Sequence, residues 1–448
     1  MFSRVLIANR GEIAMRIART CREMGIRAIA VYSTADRDSA IVHYADEAVH
    51  IGPAPARRSY LNVAALLAAA ERTGADAIHP GYGFLSENPD FAAACAMVGV
   101  TFVGPPADVI ARLGDKIAAR ELMTAAGLPV LPGALSEVCD ASHARRLAAE
   151  IGYPLIIKAA AGGGGRAMRV VRQPSDLQPE YEQTTSAAQT LFGDGRVYLE
   201  RYLPTGRHVE VQVLCDGYGN AIHLGTRDCS VQRRHQKLVE EAPAAQLADG
   251  LSERLGDLVI GGCQAVGYVG VGTFEFLVDG ADCYFLETNC RLQVEHPVTE
   301  MVTGLDLVRE QLRVAAGAPL SLRQEDVVLR GVAIECRINA EDPARDFAPA
   351  PGVIDAFAPP GGPFVRVDSH VTGGYRVPAE YDSLLAKLIV WAPDRAQAIE
   401  RMRRALAELR VDGQGVTTTA CLLAQVIDHP VFRRAEHDTS LLGTMLSA

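Results

Sequence analysis

Short apolar runs alternate with helix-like spacing through the first hundred residues. Arg4–Ala8 (RVLIA) reads as a buried strand, Glu12–Met24 as a helix and Ala28–Tyr32 as the next strand. Ala45–Ile51 (ADEAVHI) follows, then an Ala/Leu-rich helix over Asn62–Thr73, then Ala77–Ile78 running into HPGYGFLSEN. Strands alternating with helices predict βαβ units and an open, mostly parallel sheet. Such sheets bind ligands beyond the carboxyl ends of their strands, where HPGYG falls. The turn after the first strand is NRGEIA, with one glycine, so the G-x-G-x-x-G fingerprint of a plain Rossmann dehydrogenase is absent.

A helical pattern over Asp115–Ala126 stops at Gly127 and Pro129. Val130–Pro204 then contains a strand at Pro154–Lys158, the run AGGGGRAM and a strand at Val197–Arg201. From Val209 strands return, followed by a helix over Ser252–Val266 and the strands VGTFEFLV and CYFLETN. The last hundred residues, punctuated by PAPG and PPGGP, read as short strands with one helix, Ala396–Glu408, an α+β cap. No internal repeat or low-complexity linker is evident.

The chain has 448 residues, room for two to four domains. Its longest apolar runs, Val63–Ala70 and Phe91–Val98, are eight residues each, whereas a membrane helix needs about 20. The N-terminus meets Arg10 and Glu12 too early for a signal peptide. Ten cysteines are scattered without C-x-x-C, which fits reduced thiols and a cytoplasmic location. A net charge of −10 argues against a nucleic-acid partner, though a local basic pocket could hold phosphates.

Three constellations carry chemistry. Lys158 ends a strand and is followed by four glycines, Gly162–Gly165, which would let backbone N–H groups approach phosphate oxygens. The Gly-Lys-Ser/Thr of a P-loop is missing, and a flexible hairpin tip would look the same. Glu275 and Glu287 sit in adjoining apolar strand patterns, where unpaired carboxylates are expensive. With Asn289 on the same strand face as Glu287, they make an oxygen set suited to Mg²⁺ or Mn²⁺; strand-face acids paired with arginines are the alternative. Arg291, Gln293, Glu295 and His296 follow, and RRHQK (Arg233–Lys237) precedes the acids. An arginine beside metal-ligand candidates, with an acid four residues on, could bind a small planar anion and take its proton. RRHQK alone reads as a solvated strand or loop. Together these residues predict a nucleotide- and metal-dependent enzyme that acts on a small anion by phosphoryl transfer.

The blocks IANRGEIAMRI, ADEAVHIG, HPGYGFLSEN, RDCSVQRRHQKLVEEAP, GVGTFEFL, RLQVEHPVTEMVTGLDLV and ECRINAED together resemble biotin carboxylases of the ATP-grasp superfamily, from about residue 2 to 443. The resemblance implies an α/β and α+β multidomain chain: a Rossmann-like domain at 1–114, an ATP-grasp domain at 115–325 with a mobile lid at about 130–204, and a C-terminal α+β domain at 330–445. It implies ATP contacts from Lys116, Lys158, Gly164, Gly165, His208 and His235, with Glu200, Arg201, Tyr202 and Leu203 holding the adenine. Glu275, Glu287 and Asn289 would hold Mg²⁺ or Mn²⁺, with two ions expected. Lys237, Arg291 and the Val294 backbone would bind bicarbonate, Glu295 would be the base, and Arg337 would meet the biotin ureido group.

The implied reaction is ATP-dependent carboxylation of biotin through carboxyphosphate. The chain has no Met-Lys-Met attachment motif, so biotin is expected on a separate carboxyl carrier protein, with carboxyltransferase subunits as further partners. Acetyl-CoA carboxylase, and hence fatty acid biosynthesis, is the default assembly; membership of a propionyl-CoA, other acyl-CoA or pyruvate carboxylase is the alternative. A ligase acting on a free urea-like compound or amine, or a non-catalytic scaffold, are the competing classes. A homodimer is expected, with neither nucleic acid nor membrane as partner. Ala160, Ala161 and Ala167 stand where the family commonly has glycine or a small hydroxyl residue, and their Cβ atoms are expected to stiffen the lid. Thr226 replaces a usual glutamate, and Thr288 and Cys290 are unusual neighbours of Asn289.

Overall fold

The alternation of the first hundred residues closes into five parallel strands in the computed structural model, which describes residues 1–162 and 165–447. They are β1 (Arg4–Ile7), β2 (Arg27–Ser33), β3 (Glu47–Gly52), β4 (Ala77–His79) and β5 (Thr101–Phe102), in the order β3-β2-β1-β4-β5. Parallel neighbours need crossovers, here including the helices Gly11–Glu23, Val63–Thr73 and Pro89–Met97. Asn62 and Asn88 cap the latter two by accepting first-turn N–H groups. Strand order reverses beside β1, and there Asn9 Nδ2 donates to the Pro80 and Tyr82 carbonyls at 2.7 Å. The HPGYG turn is thereby fixed at the switch point where an open sheet binds ligands.

A separate antiparallel sheet, β6 (Leu155–Ala159), β7 (Met168–Val171) and β8 (Val197–Arg201), is backed by helices Ala141–Ile151 and Leu177–Phe192. Neither helix is evident in the sequence pattern. In the longer one only Leu177, Thr184 and Ala188 are buried, too sparse a stripe to register as a helical period.

The rest of the chain builds one large sheet. Its first six strands are β9 (Arg207–Cys215), β10 (Ala221–Arg233), β11 (Gln236–Ala242), β12 (Gly270–Asp279), β13 (Asp282–Asn289) and β14 (Val332–Asn339). Two short strands, β15 (Glu341–Asp342) and β16 (Ala348–Pro349), pair with each other, and β17 (Val353–Ala358) pairs with a distant β20. β18 (Val365–Ser369) and β19 (Leu384–Ala392) complete the large sheet, and β20 is Arg410–Gln414. The eight strands run antiparallel in the order β13-β12-β9-β10-β11-β14-β19-β18. The expected C-terminal cap is therefore a continuation of the central sheet. It also carries more than the single expected helix: Ala420–Asp428 and Leu441–Ser447 join Arg395–Glu408.

Leu214, Ile222, Leu224 and Val271 of the large sheet share a hydrophobic core with Val5, Ile7, Ile13 and Ile17 of the first unit. Close packing across that core fixes the two sheets relative to each other. The β6–β8 unit has its own small core, including Leu155, Ile157, Leu177 and Leu199. Among the described residues no helix is long and apolar enough to cross a membrane.

Candidate active site

Register alone lines up the first part of the site. Across β10, β9, β12 and β13, Arg227, Glu210, Glu275 and Glu287 are successive cross-strand partners and share one face of the sheet. Asn289 lies two residues beyond Glu287, on that same face, opposite Thr273. β11 then delivers Lys237 after a turn in which Arg234 and His235 adopt φ of +47° and +67°. The Lys237 ammonium donates to Glu210 (2.5 Å), Glu275 (2.9 Å) and Glu295 (2.6 Å). Burial works against its charge, but the three carboxylates outweigh burial and hold its pKa well above the ordinary lysine value.

Glu295 precedes the helix His296–Thr303 and is fully buried. Its second oxygen accepts from Arg337 Nη2 at 2.9 Å, while Arg337 Nε donates to Glu240 at 2.5 Å. Burial would raise the Glu295 pKa; Lys237, Arg337 and Arg227 together pull it well below the carboxylate range. Glu275 is lowered in the same way, by Lys237 and His208 against burial. His208 Nε2 lies 3.1 Å from Glu275, and this contact raises the imidazole pKa despite burial. Arg291 is held on three sides, donating to Glu87 (2.7 Å), Gln293 (3.1 Å) and the Asn289 side-chain oxygen (3.0 Å).

On the opposite flank Lys116 pairs with Glu287 and Lys158 with Glu200. Gly165, at φ +71°, lies so close to His235 that an added Cβ would stand 2.2 Å from its ring. Gly165 thus rests against the imidazole, whose pKa is lowered by burial and then by Lys158 and His208. Gly164 lies outside the described residues.

The Glu200 side chain is buried between Lys158 and Arg120, whose Nη1 donates to it at 2.6 Å. The Arg201 guanidinium is likewise spent on the Ile151 carbonyl at 2.8 Å. A buried carboxylate takes the nearest cations, and β6 and the helix Lys116–Ala125 supply them.

The unusual residues are accommodated locally. Ala167 takes φ +51°, a left-handed alanine in the lid turn, whereas Ala160 is buried against Ile117 and Tyr198. Thr226 accepts the Ala244 N–H at 3.2 Å, so a neutral hydroxyl serves where a carboxylate was expected. The Cys290 N–H is held by Glu87 at 2.9 Å, and burial pushes the Cys290 thiol far above its ordinary pKa.

The sequence pattern missed Glu87, Glu210, Glu240 and Lys387. Glu210 was the most accessible of them, because HVEVQV alternates polar and apolar residues and puts His208, Glu210 and Gln212 on one face.

Glu275, Glu287 and Asn289 offer oxygen ligands, and Lys237 and Lys116 meet both carboxylates much as a hard divalent cation would. The Asn289 amide nitrogen donates to Glu275 at 2.8 Å, so the three side chains are already neighbours. The donor set fits Mg²⁺ or Mn²⁺. His208, Glu210 and Glu275 also bring ligand atoms within 4.8 Å of one another.

Residues 1–110 match the biotin carboxylase N-terminal domain, 335–444 the biotin carboxylase C-terminal domain, and 115–323 the ATP-binding domain of the carbamoyl-phosphate synthase L chain. The chain is 52% identical over 446 residues to biotin carboxylase 1 of Bacillus subtilis, covering 99% of each. It is also 52% identical over 440 residues to a pyruvate carboxylase subunit of Methanothermobacter thermautotrophicus, covering 98% of this chain and 89% of that one. Its fold superimposes on the Campylobacter jejuni biotin carboxylase beta-gamma-ATP complex with TM-score 0.97, 49% identity and 99% coverage of each chain. The biotin carboxylase domain dimer of Hydrogenobacter thermophilus 2-oxoglutarate carboxylase, with MgADP, ADP and bicarbonate, gives TM-score 0.96 at 47% identity, covering 99% of this chain and 98% of that one.

Proposed function

The chain belongs to the biotin carboxylase family of ATP-dependent ligases, and from that premise we propose that it carboxylates biotin on a separate carrier protein, as the first half-reaction of acetyl-CoA carboxylase. The observation that carries the reading is Lys237, whose one ammonium touches Glu210, Glu275 and Glu295 and so joins the phosphate side of the site to the anion side.

In this reading Lys116, Lys158, His208, His235 and the glycine loop surround the ATP phosphates, and Tyr202 and Leu203 flank the base. Glu275, Glu287 and Asn289 would hold Mg²⁺ or Mn²⁺, which would supply charge neutralisation for the transferring phosphoryl group. Arg291, Lys237 and the Val294 backbone hold bicarbonate against Glu295. Glu295 is ionised at any working pH but is a weak base while paired with both Lys237 and Arg337. Lys237 turning to the substrate phosphate and Arg337 to the ureido oxygen release it to accept the bicarbonate proton. The bicarbonate oxygen then attacks the γ-phosphorus, the bond to the β–γ bridging oxygen breaks and ADP leaves, and the carboxyphosphate formed gives CO₂ and phosphate. That phosphate takes the N1′ proton of biotin, and Arg337 stabilises the enolate that attacks CO₂. Closure of the β6–β8 unit keeps water from the short-lived intermediate.

Phosphate release from MgATP and bicarbonate, with and without biotin, tests the chemistry: stimulation by biotin is expected, and stimulation by urea or small amines instead would overturn it. The equal identity to a pyruvate carboxylase relative favours pyruvate as the second acceptor. Supplying carrier and carboxyltransferase with either acetyl-CoA or pyruvate separates the two. We infer a homodimer as well, supported by the domain dimer of the 2-oxoglutarate carboxylase relative; light scattering at about 48 kDa alone would count against it.

A further inference from the structure

Lys387 is a charged residue in the interior of β19, a position where the neighbouring Leu388, Ile389 and Val390 show that an aliphatic side chain is the norm. Its side chain is wholly inaccessible to solvent. An ammonium there is expensive unless its donors are spent on defined partners. Two such partners come from distant parts of the chain. Glu12 Oε1, in the first turn of the helix Gly11–Glu23, is 3.1 Å away, and the Val294 carbonyl oxygen accepts at 3.0 Å. Glu12 in turn accepts from the Tyr82 hydroxyl in the HPGYG turn. One ammonium therefore ties the first parallel sheet unit, the far end of the large sheet and the loop between β13 and the next helix.

That loop is pinned carbonyl by carbonyl. Arg291 Nη1 donates to the Leu292 oxygen at 3.3 Å, His296 Nδ1 to the Gln293 oxygen at 2.7 Å, and Lys387 to the Val294 oxygen. The Val294 N–H itself meets no protein acceptor among the described residues. With these three carbonyls held on the protein side, their peptide planes are restrained, and the free N–H is left for a ligand. Lys387 also stands directly across from Arg337 on β14 and from Asp368 on β18, so its backbone is fixed from both sides.

We propose that Lys387 is a positioning residue for bicarbonate: by holding the peptide that joins Val294 to Glu295, it sets the anion-facing N–H and the base carboxylate in one geometry and couples both to Glu12 and Tyr82. This rests on the reading of Val294, Arg291 and Glu295 as the bicarbonate site. Lys387 touches no reacting atom in it, and its effect passes through the loop. Replacing it removes one tether, and a shift of the loop by a fraction of an ångström acts on the anion while the phosphate contacts of Lys116, Lys158 and His235 stay in place.

The test is the bicarbonate and ATP dependence of phosphate release by the full chain with biotin, for Lys387→Met and for the double variant Lys387→Met/Glu12→Gln. The double variant removes both members of the buried pair, so that Glu12 is not left as a lone carboxylate. The expected result is a KM for bicarbonate raised about tenfold or more in both, with the KM for ATP within about twofold. A wild-type bicarbonate KM in the double variant, or bicarbonate and ATP KM rising together, would overturn the proposal. Arg291→Ala is the control for the underlying reading. If it raises the bicarbonate KM while Lys387→Met does not, only the role of Lys387 falls; if Arg291→Ala changes nothing, the bicarbonate site falls and the proposal with it.

Discussion

The central sheet and the β6–β8 unit solve opposite problems with the same secondary structure. In the central sheet and the loop that follows β13, Arg227, Glu210, Lys237, Glu275, Glu295 and Arg337 are all nearly or fully buried and all paired. In the β6–β8 unit the core is small, its long helix buries three of sixteen residues, and the ion pair tying Arg196 to Asp115 is half-exposed. A buried network in a low-dielectric interior is costly to rearrange, so it holds geometry; a thinly packed unit opens at low cost, so it can admit substrate. On the function proposed above, the reacting groups sit on the first and the cover on the second.

Lys237→Met breaks that contrast most severely, because it leaves Glu210, Glu275 and Glu295 facing one another without their shared cation. A loss of about 3–5 kcal/mol in stability is expected, together with a kcat lower by at least about 10³, read by chemical denaturation and phosphate release. Chelation with EDTA should abolish ATP turnover and restoring Mg²⁺ or Mn²⁺ should recover it, since Glu275, Glu287 and Asn289 remain in place.

Arg337→Ala sharpens the division within the charged sheet. Biotin-stimulated phosphate release should fall about 10²–10³-fold, while bicarbonate-dependent ATP hydrolysis measured without biotin should change much less. Retained biotin stimulation would remove Arg337 from the role proposed for it.

The acid limb of stability distinguishes the same two regions. Glu275 and Glu295 have folded-state pKa values below their unfolded ones, so their contribution is present above the unfolded value near 4.5 and is lost as pH falls through the folded values. Unfolding midpoints should drop steeply below about pH 4.5, and Glu275→Gln should flatten that slope while lowering stability at neutral pH. The smallest effect expected is in the lid. Ala167→Gly relieves a left-handed alanine at φ +51° and should add up to about 1 kcal/mol to the local stability of the closed turn, visible as a modest fall in the KM for ATP.

The apolar runs of the parallel sheet were legible because β1, β2 and β4 are short and β-branched and the intervening helices carry caps such as Asn62. The lid helices were not, because a stripe as sparse as Leu177, Thr184 and Ala188 has no clear period. Among the chemical groups, Glu275, Glu287, Asn289, Arg291 and Glu295 could be read because they cluster within 21 residues. Glu87 and Glu12, which hold Arg291 and Lys387, lie some 200 and 375 residues from their partners and leave no local trace.

By itself, then, the sequence determined the alternation that makes a parallel sheet, the glycine loop beside Lys158 and the acids and arginine of one hairpin and its following loop. Those are properties of neighbours in the chain, where spacing decides which face a side chain takes. Only the tertiary structure decided that Lys237 would meet three carboxylates, that Glu200 would be buried between Arg120 and Lys158, and that the C-terminal strands would extend the central sheet. Those outcomes follow from which strands pair and in what register, and a buried charge takes whichever counter-charge that pairing brings within reach.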